Sequence, residues 1–232
     1  MDIERLRRAF PARRIDYYPS IDSTMRAAVG LEPGSVVLAG RQTDGQGRLG
    51  RRWHSEAASG IYCSVVLEPA PALTLALGLA TADAIARATG LVCDLRWPND
   101  VMLAGKKVSG ILVQNAIAGI GINVNHTSFP EELASEATSL RLHTDAPVSS
   151  TGILLNLLPA IDTFAKLDKD TILRLFARAS SYAAGRRVRV EQVDGIIEGT
   201  TAGLDPAGFL IVRKDDGTDT LVLAGGVRAA GS

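Results

Sequence analysis

The feature that most constrains the fold is a change in sequence texture near residue 184. Upstream, a helical stretch runs from about residue 150 to residue 183, with interruptions expected at Pro159 and around Asp168. Downstream, short strands are separated by the turn sequences Asp-Pro-Ala-Gly and Asp-Asp-Gly. About 48 residues of small strands suit a barrel-like appendage better than an extension of a larger sheet. We therefore predict two domains, residues 1–184 and residues 185–232.

The first domain mixes strands with helices. A helix is expected near Ser23, where the side chain of Asp22 or Ser23 could cap the first turn. A nearly all-apolar stretch at residues 73–90 predicts a buried helix that ends at Gly90. Runs rich in β-branched residues predict strands at residues 15–19, 35–39, 61–69, 92–103 and 107–124.

The composition excludes several classes of protein. Lys+Arg and Asp+Glu both number 25, and this balance argues against a surface devoted to nucleic acid. The longest apolar stretch, residues 70–82, is shorter than the roughly 18 residues of a membrane span. The N-terminus lacks the apolar core of a secretory signal, and Cys63 and Cys93 have no metal-binding or redox spacing. We expect a cytoplasmic globular protein with no membrane partner.

Residues 41–53 form a loop rich in glycine and arginine. Its charged residues give a local charge of 4 − 1 = +3 and are Arg41, Arg48, Arg51, Arg52 and Asp44. Its glycines spell G-x-G-x-x-G, but the helix that a dinucleotide-binding fingerprint requires does not follow. Glycines let the backbone approach an anion, and arginines bind phosphate or carboxylate. The loop is therefore either an anion-binding loop that orders over a ligand or a solvated loop with no role.

A second candidate segment is residues 96–114. Lysine is scarce in this chain, yet Lys106 and Lys107 lie together on a predicted hairpin, where a lysine could bind a phosphate or a carboxylate. Pro98 should place Asn99 and Asp100 in a tight turn, and bonding to local backbone is the alternative role for both. Trp97 is interpreted as a core residue.

The third candidate segment is residues 119–125. Its two glycines inside a strand imply a close neighbour, which is either a ligand or another backbone segment. Asn123 and Asn125 could bond a ligand there, and a glycine-kinked strand packed on a helix is the alternative. The histidines show no metal-ligand spacing and are interpreted as surface or structural residues: His54, His126 and His143.

In this order the motifs resemble those of the biotin–protein ligases, or biotin–[acetyl-CoA-carboxylase] ligases. The matching pieces are DST at 22–24, GRQTDGQGRLGRRW at 40–53, RWPNDVMLAGKKVSGILVQ at 96–114 and GIGINVN at 119–125. The resemblance implies an α+β fold, with a mixed β-sheet flanked by helices, similar to class II aminoacyl-tRNA synthetases, and a small C-terminal SH3-like β-barrel. It implies ATP and biotin as substrates, Mg²⁺ with the ATP, and a biotin carboxyl carrier protein as the partner.

The implied reaction has two steps. Biotin's carboxylate attacks the α-phosphate of ATP to give biotinyl-5′-AMP and pyrophosphate, and a carrier lysine then takes the biotinyl group. Charge repulsion opposes the first step, so the site must supply fixed positive charge. By resemblance the catalytic residues are Lys107 and Arg48. The implied biotin-binding residues are Ser23, Thr24, Gln42, Gly45, Gln46, Gly47, Arg48, Lys107 and Gly110. The implied ATP- or adenylate-binding residues are Arg48, Arg51, Trp53, Asn99, Asp100, Lys107, Gly121 and Asn123, and no residue is nominated for Mg²⁺.

The chain departs from the family pattern at four places. Met25 stands where Asn is frequent, Gln46 where some members have Arg, and Arg96 where Lys is frequent. The turn at Gln114 and Asn115 is several residues shorter than usual, so either the hairpin is tight or a loop is missing.

Two alternatives to a dedicated biotin ligase follow from the sequence. A lipoate- or octanoate-protein ligase would have a related fold and chemistry, and a non-catalytic nucleic-acid module could use the basic loop. The first catalytic strand is expected by about residue 15, which leaves no room for an N-terminal DNA-binding domain. We expect a ligase without a repressor role or DNA partner, either a monomer or a homodimer.

Overall fold

A seven-stranded mixed sheet forms the centre of the structure, a computed structural model that describes residues 1–192 and 195–230. Its strands are β1 (Ile15–Tyr18), β2 (Val36–Ala39), β3 (Gly60–Val66), β4 (Asp94–Arg96), β5 (Asp100–Leu103), β6 (Lys106–Gln114) and β7 (Ile117–Asn123). They lie in the order β1-β2-β3-β7-β6-β5-β4. Only the β1–β2 pair is parallel among these strands. The predicted strands are confirmed, and residues 92–103 and 107–124 each contain two of them.

Helices lie on both faces of this sheet, the long ones over the main core and a short one beside Val37. They include α1 (Ile3–Ala9), α2 (Thr24–Ala27), α3 (Leu73–Thr89), α4 (Glu131–Ala134), α5 (Ser150–Phe164) and α6 (Lys169–Ala179). The long helix α3 packs against α5 and α6 and ends at Gly90, whose φ is 76°, as predicted. None of the helices in the described ranges is long and apolar enough to cross a membrane.

The predicted break at Pro159 is wrong, whereas the break near Asp168 is confirmed. Helix α5 continues through Pro159 because the residues on both sides of it, Leu158 and Ile161 among them, are fully buried in the core. Burial of this face outweighs the backbone hydrogen bond that a proline removes. Asp168 caps α6 by accepting a 2.9 Å hydrogen bond from the Thr171 N–H.

The two faces of the sheet have different surroundings, because successive residues of a strand point to opposite sides. Val36 and Leu38 belong to the main core under the helices, whereas Val37 belongs to a small cluster with Met25. In β7, the residues that face the main core are Ala118, Ile120 and Ile122. Gly119 and Gly121 alternate with them and therefore leave the opposite face of the sheet open.

Residues beyond α6 form a separate five-stranded antiparallel sheet. Its strands are β8 (Ala184–Gln192), β9 (Gly195–Leu204), β10 (Leu210–Arg213), β11 (Asp219–Val222) and β12 (Gly226–Ala229), in the order β11-β10-β9-β8-β12. Trp97 is buried, as predicted, and its Nε1 donates a 2.9 Å hydrogen bond to the Gly208 carbonyl of this sheet. The boundary between residues 184 and 185 stays a prediction; β8 begins at Ala184.

The short connection between β6 and β7 is a tight two-residue turn. Asn115 and Ala116 have φ values of 47° and 61°, the left-handed conformation that type I′ hairpin turns require. The turn therefore closes without additional residues. Ala116 carries a Cβ in a conformation that favours glycine.

We predict that Ala116→Gly raises the free energy of unfolding by about 0.5–1 kcal/mol, because relief of left-handed strain exceeds the added chain entropy. Thermal and urea unfolding would measure the change. Ala88→Gly is the control, because Ala88 is exposed within α3. A glycine in this helix should lower the free energy of unfolding by up to about 1 kcal/mol. Destabilisation by both changes would contradict the turn geometry.

Candidate active site

The glycine- and arginine-rich loop folds back on itself over the open face of the sheet. The Gly47 N–H bonds the Arg51 carbonyl at 2.7 Å, and the Trp53 N–H bonds the Gly45 carbonyl at 2.8 Å. The chain reverses at Leu49, whose φ is 56° and whose side chain is exposed. This short hairpin carries Arg48 and Trp53 onto the sheet.

The indole of Trp53 lies on a pair of glycines. Gly110 and Gly121 are cross-strand partners in β6 and β7. A Cβ at Gly121 would lie 2.7 Å from Trp53 Nε1, and one at Gly110 would lie 2.9 Å from both Trp53 Cζ3 and Lys107 Nζ. The close neighbour predicted for Gly121 is therefore a side chain of the loop, whereas that of Gly119 is Met25.

An inner pocket with a cavity of about 50 Å³ lies beside this indole. Its lining residues are Ser23, Thr24, Met25, Gln42, Gln46, Gly47, Arg48, Trp53, Cys63, Asn99, Lys107, Gly110, Ile111, Leu112, Gly119, Ile120 and Gly121. One part of the wall is polar and the other part is aliphatic. Such a lining suits a small ligand with a polar end and an apolar body.

The polar part of the inner pocket is a hydrogen-bonded group around Thr24. Its N–H and Oγ1 donate to Gln42 Oε1 at 2.8 and 3.0 Å, and the Ser64 hydroxyl donates to Thr24 Oγ1 at 2.8 Å. The buried Ser23 hydroxyl has no hydrogen-bond partner in the described part of the chain. It is therefore free to bond a ligand, because unpaired buried polar groups are unfavourable.

The prediction that Asp22 or Ser23 caps α2 is wrong. The Ser23 side chain makes no capping hydrogen bond, and the Asp22 carboxylate accepts from the Ser23 N–H and from Arg26. Helix α2 has only four residues, so its position depends on packing of Met25 rather than on a cap. Met25 also lines the inner pocket, where its sulfur lies against Gly119.

An outer pocket with a cavity of about 200 Å³ adjoins the inner pocket. Its lining residues are Gly47, Arg48, Leu49, Arg51, Arg52, Trp53, His54, Asn99, Asp100, Lys107, Asn123, Phe129, Leu133, Glu136, Ala137, Gly225 and Gly226. The last two belong to the C-terminal sheet or its connection. The residues shared by both pockets are Gly47, Arg48, Trp53, Asn99 and Lys107.

A buried carboxylate holds two cations at the junction of the pockets. Asp100 Oδ1 lies 2.5 Å from Lys107 Nζ, and Arg96 donates to Asp100 Oδ2 at 2.8 Å. Burial alone would raise the pKa of Asp100, but Lys107 and Arg96 outweigh it and hold that pKa below its usual value. Together with Arg48, the side chains of Lys107 and Arg96 supply three positive charges against the one carboxylate, so the local charge is 3 − 1 = +2.

Arg48 is held at the same junction by Asn99. Its Nη1 donates a 3.0 Å hydrogen bond to Asn99 Oδ1, and Asn99 Nδ2 donates to the Ile111 carbonyl at 2.9 Å. Burial lowers the pKa of Arg48, while Asp100 opposes that shift. An arginine stays protonated under such conditions, so its guanidinium remains available to an anion.

The structure brings together nearly all of the site residues that the sequence nominated. Arg51, Asp100 and Asn123 line the outer pocket only, and the Asn123 amide donates to the Thr138 carbonyl at 3.0 Å. Gly45 lies outside both pockets. It packs closely against Gln42, because a Cβ at this position would lie 2.9 Å from Gln42 Nε2. Sequence reasoning missed the apolar and C-terminal members of the outer pocket, Phe129, Leu133, Gly225 and Gly226, which carry no charge or motif.

The thiol at the inner pocket is not a nucleophile. Cys63 is fully buried, and burial raises the pKa of its thiol to about 12. A thiol with that pKa stays protonated near neutral pH. The chemistry available at the junction is therefore stabilisation of anions by fixed cations.

Comparisons with known proteins agree on one family. The profile of the "Biotin/lipoate A/B protein ligase family" matches residues 17–127, and that of the "Biotin protein ligase C terminal domain" matches residues 184–226. A Mycobacterium tuberculosis protein named biotin--[acetyl-CoA-carboxylase] ligase is 35% identical over 223 residues, which are 88% of this chain and 82% of that protein. A Bacillus spizizenii protein named bifunctional ligase/repressor BirA is 33% identical over 229 residues, 87% of this chain and 70% of the relative.

A solved structure shares the whole arrangement. The biotin protein ligase from Aquifex aeolicus in complex with biotin and ATP has a TM-score of 0.84 and 31% sequence identity. The match covers 94% of this chain and 99% of that chain. The α+β fold with a mixed sheet, flanking helices and a small C-terminal antiparallel sheet is thereby confirmed.

Proposed function

This chain belongs to the biotin/lipoate A/B protein ligase family, and we propose that it is an ATP-dependent biotin–protein ligase. It converts biotin and ATP into biotinyl-5′-AMP and pyrophosphate and then transfers biotin to a lysine of a biotin carboxyl carrier protein. The observation that carries the proposal is the meeting of two pockets at Arg48 and Lys107. We also propose that the reaction takes place in the cytoplasm, where ATP is available.

The inner pocket is the proposed site for biotin. The free Ser23 hydroxyl and the Thr24–Gln42 pair would bond the ureido group of the head, and Met25, Leu112 and their aliphatic neighbours would contact its rings and chain. This orientation directs the biotin carboxylate toward Lys107. Met25 stands where asparagine is frequent in the family, so an apolar contact with biotin would replace a polar one at this position.

The outer pocket is the proposed site for ATP, with its α-phosphate at the junction. The carboxylate oxygen of biotin forms a bond to phosphorus while the bond to the pyrophosphate oxygen breaks, so negative charge accumulates where the two substrates meet. Arg48 and Lys107 would stabilise that charge, because preorganised cations need no rearrangement during the reaction. Asn99 and Asp100 position these two cations.

The second step needs access for the carrier lysine. Its neutral ε-amine attacks the acyl carbon of biotinyl-5′-AMP, a bond forms between nitrogen and carbon, and AMP leaves with the electrons of the acyl–oxygen bond. Until then, the loop at residues 45–53 would shield the mixed anhydride from water. The proposal assigns Trp53 to the wall between biotin and the adenosine.

ATP is proposed to arrive with Mg²⁺. Among the described residues that line the outer pocket, the carboxylates are Asp100 and Glu136. Asp100 is already paired with Lys107, and Glu136 is already paired with Arg228. These residues do not form a set of free magnesium ligands. The Mg²⁺ ion would be held chiefly by the phosphates of ATP, as is usual for Mg²⁺ with nucleotides.

We predict that purified protein releases pyrophosphate from ATP only when biotin is added, and that biotin raises its melting temperature while lipoate and octanoate do not. Pyrophosphate release and thermal unfolding would be measured with each acid in turn. A response to lipoate or octanoate without a response to biotin would assign the alternative activity. No release with any of the three acids by folded protein would contradict the ligase proposal.

A further inference from the structure

A cluster of three metal-ligating side chains lies at the end of the loop, and the proposed reaction steps do not use it. The ligating atoms of His54, Glu56 and His126 all lie within 4.8 Å of one another. His54 and Glu56 directly follow the loop, whereas His126 follows β7, so the cluster joins segments that are 70 residues apart in sequence. The sequence interpreted these histidines as surface or structural residues, and the structure places two of them in one cluster.

His126 has an unusual environment for a histidine with no function. The residue is fully buried, and neither ring nitrogen has a hydrogen-bond partner among the described residues. Its ring stacks on Phe129 at a centroid distance of 5.2 Å, which fixes the ring plane. Buried polar atoms normally have a hydrogen-bond partner, so the two unpaired nitrogens indicate that a ligand binds here.

An ion pair does not account for the cluster. His126 Nε2 lies 4.0 Å from Glu56 Oε2, at the limit of an ion pair. A neutral imidazole has a lone pair that it can give to a metal.

We propose that His54, Glu56 and His126 bind a divalent transition-metal ion of the zinc type. Two imidazoles and one carboxylate favour Zn²⁺ over Mg²⁺, which prefers oxygen ligands. Two ligand atoms on a tetrahedral zinc ion lie about 3.4 Å apart, given metal–ligand distances of about 2.0–2.2 Å. His54 and Glu56 reach solvent, so rotation of their side chains can close the remaining gap.

The bound ion would connect the end of the loop to the sheet. His54 directly follows Trp53 and lines the outer pocket, and His126 lies just beyond β7. A three-residue site leaves one position of a tetrahedral ion for water or another small ligand. Such a link would stabilise the base of the loop without taking part in the transfer of biotin.

The test uses the full chain without a histidine tag, after treatment with a chelator and dialysis. Titration calorimetry with ZnCl₂ should show one equivalent bound per chain, and Co²⁺ should produce visible absorption typical of a tetrahedral site. His54→Ala and Glu56→Gln should each weaken Zn²⁺ binding at least 10-fold, since even changes to residues that only orient the ligands weaken metal sites 10- to 100-fold. Both side chains reach solvent, so both variants should fold.

The matched control is His143→Ala, because His143 bonds Thr138 Oγ1 and lies outside the cluster. This variant should bind Zn²⁺ like the wild type. Lack of stoichiometric binding by the wild type would overturn the proposal. Undiminished Zn²⁺ binding by both His54→Ala and Glu56→Gln would also overturn the proposal, because the metal would then bind elsewhere. Loss of Zn²⁺ binding in His143→Ala alone would have the same meaning. A rise in melting temperature with Zn²⁺ in wild type but not in His54→Ala would support it independently of activity.

Discussion

Lys107→Ala should reduce biotin-dependent pyrophosphate release by about 10²- to 10³-fold, the loss seen when one preorganised donor to a developing charge is removed. Lys107 Nζ lies at the junction of the two pockets, 2.5 Å from Asp100 Oδ1 and 5.4 Å from the centre of the Trp53 ring. No other lysine lines either pocket in the described part of the chain. A steady-state assay at saturating biotin and ATP would measure the loss.

Folding should survive this change, because Arg96 continues to pair with the Asp100 carboxylate. Lys106→Ala is the matched control. The Lys106 ammonium is exposed and donates to the Ala134 carbonyl at 2.8 Å, so this variant should keep nearly full activity. Equal activity of the two variants would show that Lys107 does not stabilise the transferring phosphate.

Arg48→Ala should release biotinyl-5′-AMP into solution about 10- to 100-fold faster than the wild type, in line with the 1.5–3 kcal/mol of a hydrogen bond to a charged group. Arg48 supplies positive charge at the junction and also ties the loop to the sheet through Asn99 Oδ1. Its removal weakens both the contact with the anion and the closure of the loop. Rapid filtration of the preformed adenylate would give the dissociation rate.

Arg52→Ala is the control for this prediction. Arg52 belongs to the same loop, but its guanidinium donates to Asp44 and to the Thr43 carbonyl and leaves the Arg48–Asn99 bond intact. Retention of the adenylate by Arg48→Ala, or equally fast release by Arg52→Ala, would contradict the assignment of Arg48 as the residue that closes the loop.

Several local features were predictable because they depend on few neighbours. Gly90 ended a helix as its position indicated, since a glycine in the left-handed conformation is the usual end of an apolar helical stretch. The cations at residues 48 and 107 were nominated because they match motif positions of the family, within segments that glycines and positive charge had already marked as candidates. Local backbone preference and charge are properties of the sequence itself.

Other features depended on packing between distant segments. Pro159 did not interrupt α5 because buried neighbours on both sides outweighed the loss of one hydrogen bond. Ser23 did not cap α2, since its hydroxyl lines the inner pocket. The expected neighbour of Gly121 was a ligand or another backbone segment, and Trp53 is the side chain that occupies this place.

The sequence by itself nominated the side chains that could carry the chemistry, and it determined the change from mixed sheet to small strands near residue 184 and the family. Only the tertiary structure decided that Arg48 and Lys107 meet between two pockets, that Asp100 is paired rather than free, and that His54 and His126 share a cluster. The reason is physical. A charge or a glycine is set by one residue, whereas a distance between side chains depends on how the loop, the sheet and the helices pack together.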